Sequence, residues 1–154
     1  MHIYRIDNKI WLQVEQSSYD LRIPCRLKPA LCSLGDHIYL FGGERRLAQG
    51  STSRNELLKD FYQLKIINRP MSSRPDVWVK EVITNYSPSE RASTLISLVD
   101  RYLVLWGGLN AIDSKKGQFG FWVYVVADIN WIWVSVPGTQ PRSMLPGWSM
   151  NYQN

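Results

Sequence analysis

Histidine and cysteine are the side chains with which a chain of this size could hold a metal or arm a nucleophile, and here there are two of each. His2 stands beside Met1, and His37 follows the turn signal Gly35-Asp36. They read as surface and turn histidines, because metal sites need convergent ligands with supporting hydrogen bonds. Cys25 and Cys32 are too few and too oddly spaced for a disulfide framework or a zinc site. On one extended segment their odd separation sends the two thiols to opposite faces, so they are expected not to pair. No Ser or Cys sits in a recognisable nucleophile elbow or beside a partner base. Gly42-Gly43 and Gly107-Gly108 are not phosphate loops, since no Lys-Ser/Thr follows and no helix begins there. The expectation is a protein without catalysis, cofactor or metal of its own.

What remains is charge. Two long polar segments, 44–59 and 109–120, carry Arg45, Arg46, Arg54, Lys59, Lys115 and Lys116 against Glu44, Glu56 and Asp113. If both are loops at the same end of neighbouring sheets, they form a mildly cationic face suited to an acidic segment of a partner protein. The simpler account of the same residues is that they are solvated charges. The net charge of +5 favours acidic partners only weakly. Nucleic acid is the runner-up partner. No basic stripe with interleaved exposed aromatics supports it.

The elements that must position these charges are strands. Apolar residues make up 45% of the chain, with seven Trp, eight Tyr and four Phe, a composition suited to pleated, packed surfaces. Runs 27–33 and 37–41, then 92–99 and 102–106, read as two hairpins broken by Gly35-Asp36 and Asp100-Arg101. Aromatic third strands follow at 60–66 and 121–126, and tryptophan-bearing fourth strands at 77–82 and 131–136. Arg26 lies sixteen residues before Gly42, and Arg91 sixteen before Gly107. Runs 3–7 and 10–14 read as a third and fourth strand lacking a first and second. The chain divides into the end of one unit (1–20), two whole units (21–84 and 85–136), and the start of a further unit or a tail (137–154). The fold class is all-β, built from four-stranded antiparallel units.

These residues resemble the kelch repeat. The resemblance rests on Pro24, Arg26, Gly42, Gly43, Tyr62 and Trp78 in the first whole unit. In the second it rests on Pro88, Arg91, Gly107, Gly108, Tyr124, Asp128 and Trp131 or Trp133. Tyr4, Asp7 and Trp11 extend it into the leading half-unit, so it covers about residues 1–142. It departs where Lys65-Ile66 and the segment 68–76 replace the usual short aspartate turn. The resemblance implies a partial β-propeller, open or completed by something else, in which each unit is one blade and the tyrosines and tryptophans fill the space between blades. It also implies a protein-interaction module or scaffold. The alternative is a fragment of a propeller enzyme whose active site lies on missing blades.

Two and a half blades cannot close a ring, and uncapped units of a repeat expose apolar faces. Further blades from a longer chain, a partner protein, or self-association would each cover them. The polar segment 143–154 weighs against the last, in which a leading half-blade would complete the trailing one. No stretch approaches the ~18 apolar residues of a membrane span, and residues 1–7 lack the apolar core of a secretory signal. A reducing compartment, the cytoplasm or the nucleus, is expected.

Overall fold

Short apolar runs punctuated by turn residues dictate strands, and all regular structure among the described residues is β. The computed structural model describes residues 2–16, 21–49, 52–67, 76–109, 120–135 and 137. In chain order the strands are β1 (His2–Arg5), β2 (Ile10–Gln13), β3 (Glu15–Gln16), β4 (Ala30–Leu34), β5 (His37–Gln49), β6 (Thr52–Ile67), β7 (Asp76–Glu81), β8 (Leu95–Val99), β9 (Tyr102–Trp106), β10 (Gly120–Val125) and β11 (Asn130–Ser135). They form a two-stranded hairpin β1-β2, a five-stranded sheet ordered β3-β7-β6-β5-β4, and a four-stranded sheet ordered β11-β10-β9-β8. Every neighbouring pair is antiparallel except β3 with β7, which is parallel. The expected all-β class and the antiparallel four-strand units are present. No helix among the described residues is long and apolar enough to cross a membrane.

The two sheets repeat one another in backbone detail. Left-handed φ recurs at Lys28 and Ser93 (51° and 53°), at Gly35 and Asp100 (60° and 56°), and at Gly42-Gly43 and Gly107-Gly108 (59° and 104°, 69° and 96°). Isolated bridges recur at Leu27↔Glu44 and Ala92↔Leu109. The twin glycines are needed both for their φ and for space. A Cβ on Gly42 would stand 2.5 Å from the Arg91 carbonyl oxygen, and one on Gly43 2.8 Å from that of Leu27. The β5–β6 register shifts between Phe41 and Gly43 in a β-bulge, where the single residue Gly42 of β5 stands opposite Lys59 and Asp60 of β6.

The sixteen-residue spacing now has a cause. Arg26 donates from Nη1 to the Gly42 carbonyl (3.0 Å) and from Nε to that of Pro24 (3.2 Å). Arg91 donates in the same way to Gly107 (3.2 Å) and Ser89 (3.1 Å). Each guanidinium ties the glycine pair at a strand end back to the segment that leads into its sheet. Arg26 adds a two-point bond to Asp60, at 2.5 and 2.7 Å, and its guanidinium lies 5.3 Å from the Tyr62 ring centre. Burial works against the Arg26 charge, but Asp60 more than restores it, leaving the guanidinium pKa raised.

The elements stack in layers. One face of the first sheet presents Tyr39, Phe41 and Phe61, packed against Leu103, Leu105, Tyr124 and Trp131 of the second. The opposite face presents Leu40, Tyr62, Leu64, Val77 and Val79, covered by Val14, Ile3, Leu21 and Ile23. The backbone stitches the sheets together as well. The Arg91 peptide N–H donates to the Leu58 carbonyl (3.0 Å), and its carbonyl accepts from the Gly43 N–H (2.9 Å).

Four expectations need correction. The segment 44–59, expected as a polar loop, lies largely within β5 and β6, which pair from Gly43↔Leu58 out to Gln49↔Thr52. Opposite charges facing each other, such as Arg45 and Glu56, let a polar stretch hold a ladder. Cys25 precedes β4 and does not share a strand with Cys32; both thiols are free, as expected. Trp78 is not a counterpart of Trp131. It pairs with Lys65 and is 37% exposed, because the longer insertion after β6 sets Glu81, not a tryptophan, opposite Tyr62. Tyr4 and Trp11 are also exposed, at 44% and 69%, rather than filling space between sheets. Apart from these, β3 joins the edge of the first sheet, a pairing with no signal in two polar residues.

Burial pushes the phenol pKa of both Tyr62 and Tyr124 up to about 12, helped at Tyr62 by Asp60 and at Tyr124 by Tyr39. Each phenol therefore holds its proton more tightly folded than unfolded. Their contribution to stability is complete below the unfolded value of about 10 and is lost as pH rises towards 12. Urea midpoints are expected to fall steeply across that alkaline window. Tyr124→Phe should flatten the fall; an unchanged slope would show that Tyr124 does not carry it.

Candidate functional site

Beyond the bulge, β5 and β6 leave the sheet as a two-stranded arm whose connection, residues 50 and 51, lies outside the described residues. Register assigns its two faces. Arg45, Leu47, Arg54 and Glu56 share one, and Glu44, Arg46, Asn55 and Leu57 share the other. Three of the expected binding cations, Arg45, Arg54 and Lys59, thus line one open cleft of about 930 Å³ at the arm's root. Arg46 is on the other face of the arm, beside Leu27 and Asn55. Lys115 and Lys116 fall in the segment 110–119, outside the described residues.

The cleft follows β6 along a continuous run, Arg54 to Asp60, and is closed by Pro24, Arg45, Leu47 and Glu90. The run lies along a strand edge. β7 pairs with β6 only from Tyr62 onward, so the strand between Thr52 and Asp60 has no β7 beside it. Two backbone hydrogen bonds mark the inner end: the N–H of Val82, directly after β7, donates to the Phe61 carbonyl, and that of Arg91, on the way to the second sheet, donates to the Leu58 carbonyl.

The charges in the cleft are mixed. Glu56 is ion-paired with Arg45, and Asp60 with Arg26, while Glu90 adds a third carboxylate. On the opposite face Lys28 pairs with Glu44 at 2.7 Å, and Asn55 donates to the same carboxylate at 3.4 Å. The described lining holds no His, Cys or Ser. It offers backbone groups of a strand edge, alternating charges, and the apolar Leu47, Leu57 and Leu58. That set can grip an extended polypeptide by main-chain hydrogen bonds and read its side chains by charge.

The expected turn histidine is also in place. His37 opens β5, its Nδ1 lies 2.7 Å from Asp36, and Lys65 lies 2.6 Å from the other carboxylate oxygen. The Lys65 hydrogen bond lowers the Asp36 pKa. Burial pushes the Cys32 thiol up, away from reactivity. Among the described residues no group of three His, Cys, Asp or Glu could hold a metal ion. The feature that residue types alone concealed is the cleft itself, because it depends on a loop being a strand pair. Alternation through Arg45, Leu47, Arg54 and Glu56 was the signal for it. No protein-family model matches the chain, and neither does any curated protein with which it was compared.

Proposed function

We propose that the protein is a protein-interaction module of the kelch type, part of a β-propeller, and that it receives an extended, acidic segment of a partner in the cleft beside the β5–β6 arm. One observation carries the reading: seven consecutive residues of β6, Arg54 to Asp60, line an open cleft where β7 no longer covers the strand. A peptide laid there extends the sheet by one strand, with Arg54 and Lys59 meeting its carboxylates. The kelch assignment is supported by the repeated twin glycines, the two arginine clamps and the tyrosines of the third strands. The two free thiols suit a reducing compartment, the cytoplasm or the nucleus.

The test uses a fluorescent ten-residue peptide of alternating Glu and Val, with Lys-Val and Gln-Val peptides as controls. The acidic peptide should bind best and should weaken as salt rises. Charge reversal at Arg54→Glu with Lys59→Glu should weaken it about tenfold, or ~1.4 kcal/mol, with an unchanged urea midpoint. Equal binding of all three peptides, or an unaffected double variant, would refute the acidic segment.

A further inference from the structure

Among the described residues, the layered order leaves one apolar face partly exposed at each end. At the trailing end is the far face of the second sheet. Register places Val104, Trp106, Val123 and Ile132 there together, opposite to the face that packs on the first sheet. Trp106 is 37% exposed, and Ile132 and Val99, on the same face, are also exposed. By the backbone repeat, Trp106 occupies the position of Phe41, since each immediately precedes the twin glycines. In the first sheet that position is fully buried, and what buries it is known. The Tyr124–Trp131 pair seats on Phe41 and Phe61, with Trp131 ring centres 5.8 and 5.1 Å from theirs.

At the leading end is the outer face of the β1-β2 hairpin. Ile3 turns inward to the first sheet, so Tyr4 and Trp11, on the alternate face, turn outward. These two are cross-strand partners, as Tyr124 and Trp131 are. Their ring centres stand 5.1 Å apart with planes at 48°, against 5.1 Å and 49° for Tyr124 and Trp131. The turns that connect the strands agree too, each ending on a residue with left-handed φ, Lys9 at 56° and Ile129 at 51°. The hairpin therefore displays to solvent the same aromatic pair that the second sheet uses to cover the first.

From these two faces we infer that copies of this chain associate head to tail, with Tyr4 and Trp11 of one seated on the Trp106 face of the next. The occupant is a second copy because each molecule carries both the seat and the pair built to fill it, one at each end of its layers. The interface needs no contribution from residues beyond 135. It reproduces, between molecules, the contact that already holds the two sheets together within one. The two surfaces differ, so the contact is heterologous and propagates unless the rotation closes a ring.

Sedimentation velocity on the full chain, from micromolar to submillimolar concentration, tests this. The mean mass should rise with concentration beyond that of a dimer. Trp11→Ser and Trp106→Ser should each weaken association at least about tenfold, as loss of a central aromatic anchor does. An equimolar mixture of the two variants should form a heterodimer and nothing larger, because one intact face remains on each. Tyr4→Lys and Ile132→Lys serve as second head and tail variants if a serine variant fails to fold by circular dichroism. A wild-type chain that stays monomeric, folded variants of undiminished mass, or a mixture that gives no heterodimer would each overturn the inference. Peptide binding in the cleft is a separate readout, so either result can fail without the other.

Discussion

Replacing Arg26 with Met is expected to lower the unfolding free energy by about 3–5 kcal/mol, the cost of removing one member of a buried ion pair. The Arg26 side chain is 4% exposed, and it serves three acceptors at once: Asp60 through two bonds, the Gly42 carbonyl and the Pro24 carbonyl. Methionine keeps much of the stem's packing but leaves a carboxylate and a bulge carbonyl without their donor. The charge on Asp60 is the larger part of the loss, so the double variant Arg26→Met with Asp60→Leu should recover much of it. Urea denaturation of the three proteins is the measurement. A single variant within about 1 kcal/mol of wild type would mean that the bidentate pair is solvated and contributes little.

Trp131→Ala should be as damaging, at about 3–5 kcal/mol, a large share of the 5–15 kcal/mol of a typical domain. Trp131 is among the largest fully buried side chains, and its ring meets Phe41, Phe61 and Tyr124 with centres 5.1–5.8 Å apart. Removing it opens a cavity at the junction of two sheets that neither can collapse into without breaking register. Trp78→Ala, on an exposed strand face, should cost no more than about 1 kcal/mol. Thermal midpoints of the two variants, compared in one buffer, should rank in that order. The reverse ranking would place the centre of the core elsewhere.

That contrast marks where the sequence was legible. The hairpins around Gly35-Asp36 and Asp100-Arg101, the twin glycines and the equal arginine spacings are local signals, and each corresponds to a repeated backbone feature. The buried Tyr62, Tyr124 and Trp131 followed from the same register. Partnerships between distant residues were hidden. Asp60 reads as the start of a strand, and only the folded chain brings it to Arg26 across 34 positions. Arg45 and Glu56 read as loop charges until strand pairing sets them face to face. Trp78 shows the limit of matching residue types without register, since the number of residues in the preceding insertion decides which face a strand presents. The cleft is half visible in the sequence: charge alone picks out three of its cations, while the strand edge that shapes it depends on pairing between β5 and β6.

The doubly bonded peptide of Arg91 makes the arm a lever with a fixed fulcrum. Its N–H grips Leu58 and its carbonyl holds Gly43, the two residues at which the arm leaves its sheet. The arm cannot swing at that point without shearing both bonds and dragging the segment that leads into β8. A load applied at the arm's root is therefore borne jointly by both sheets, and torque there reaches the aromatic junction around Trp131 directly.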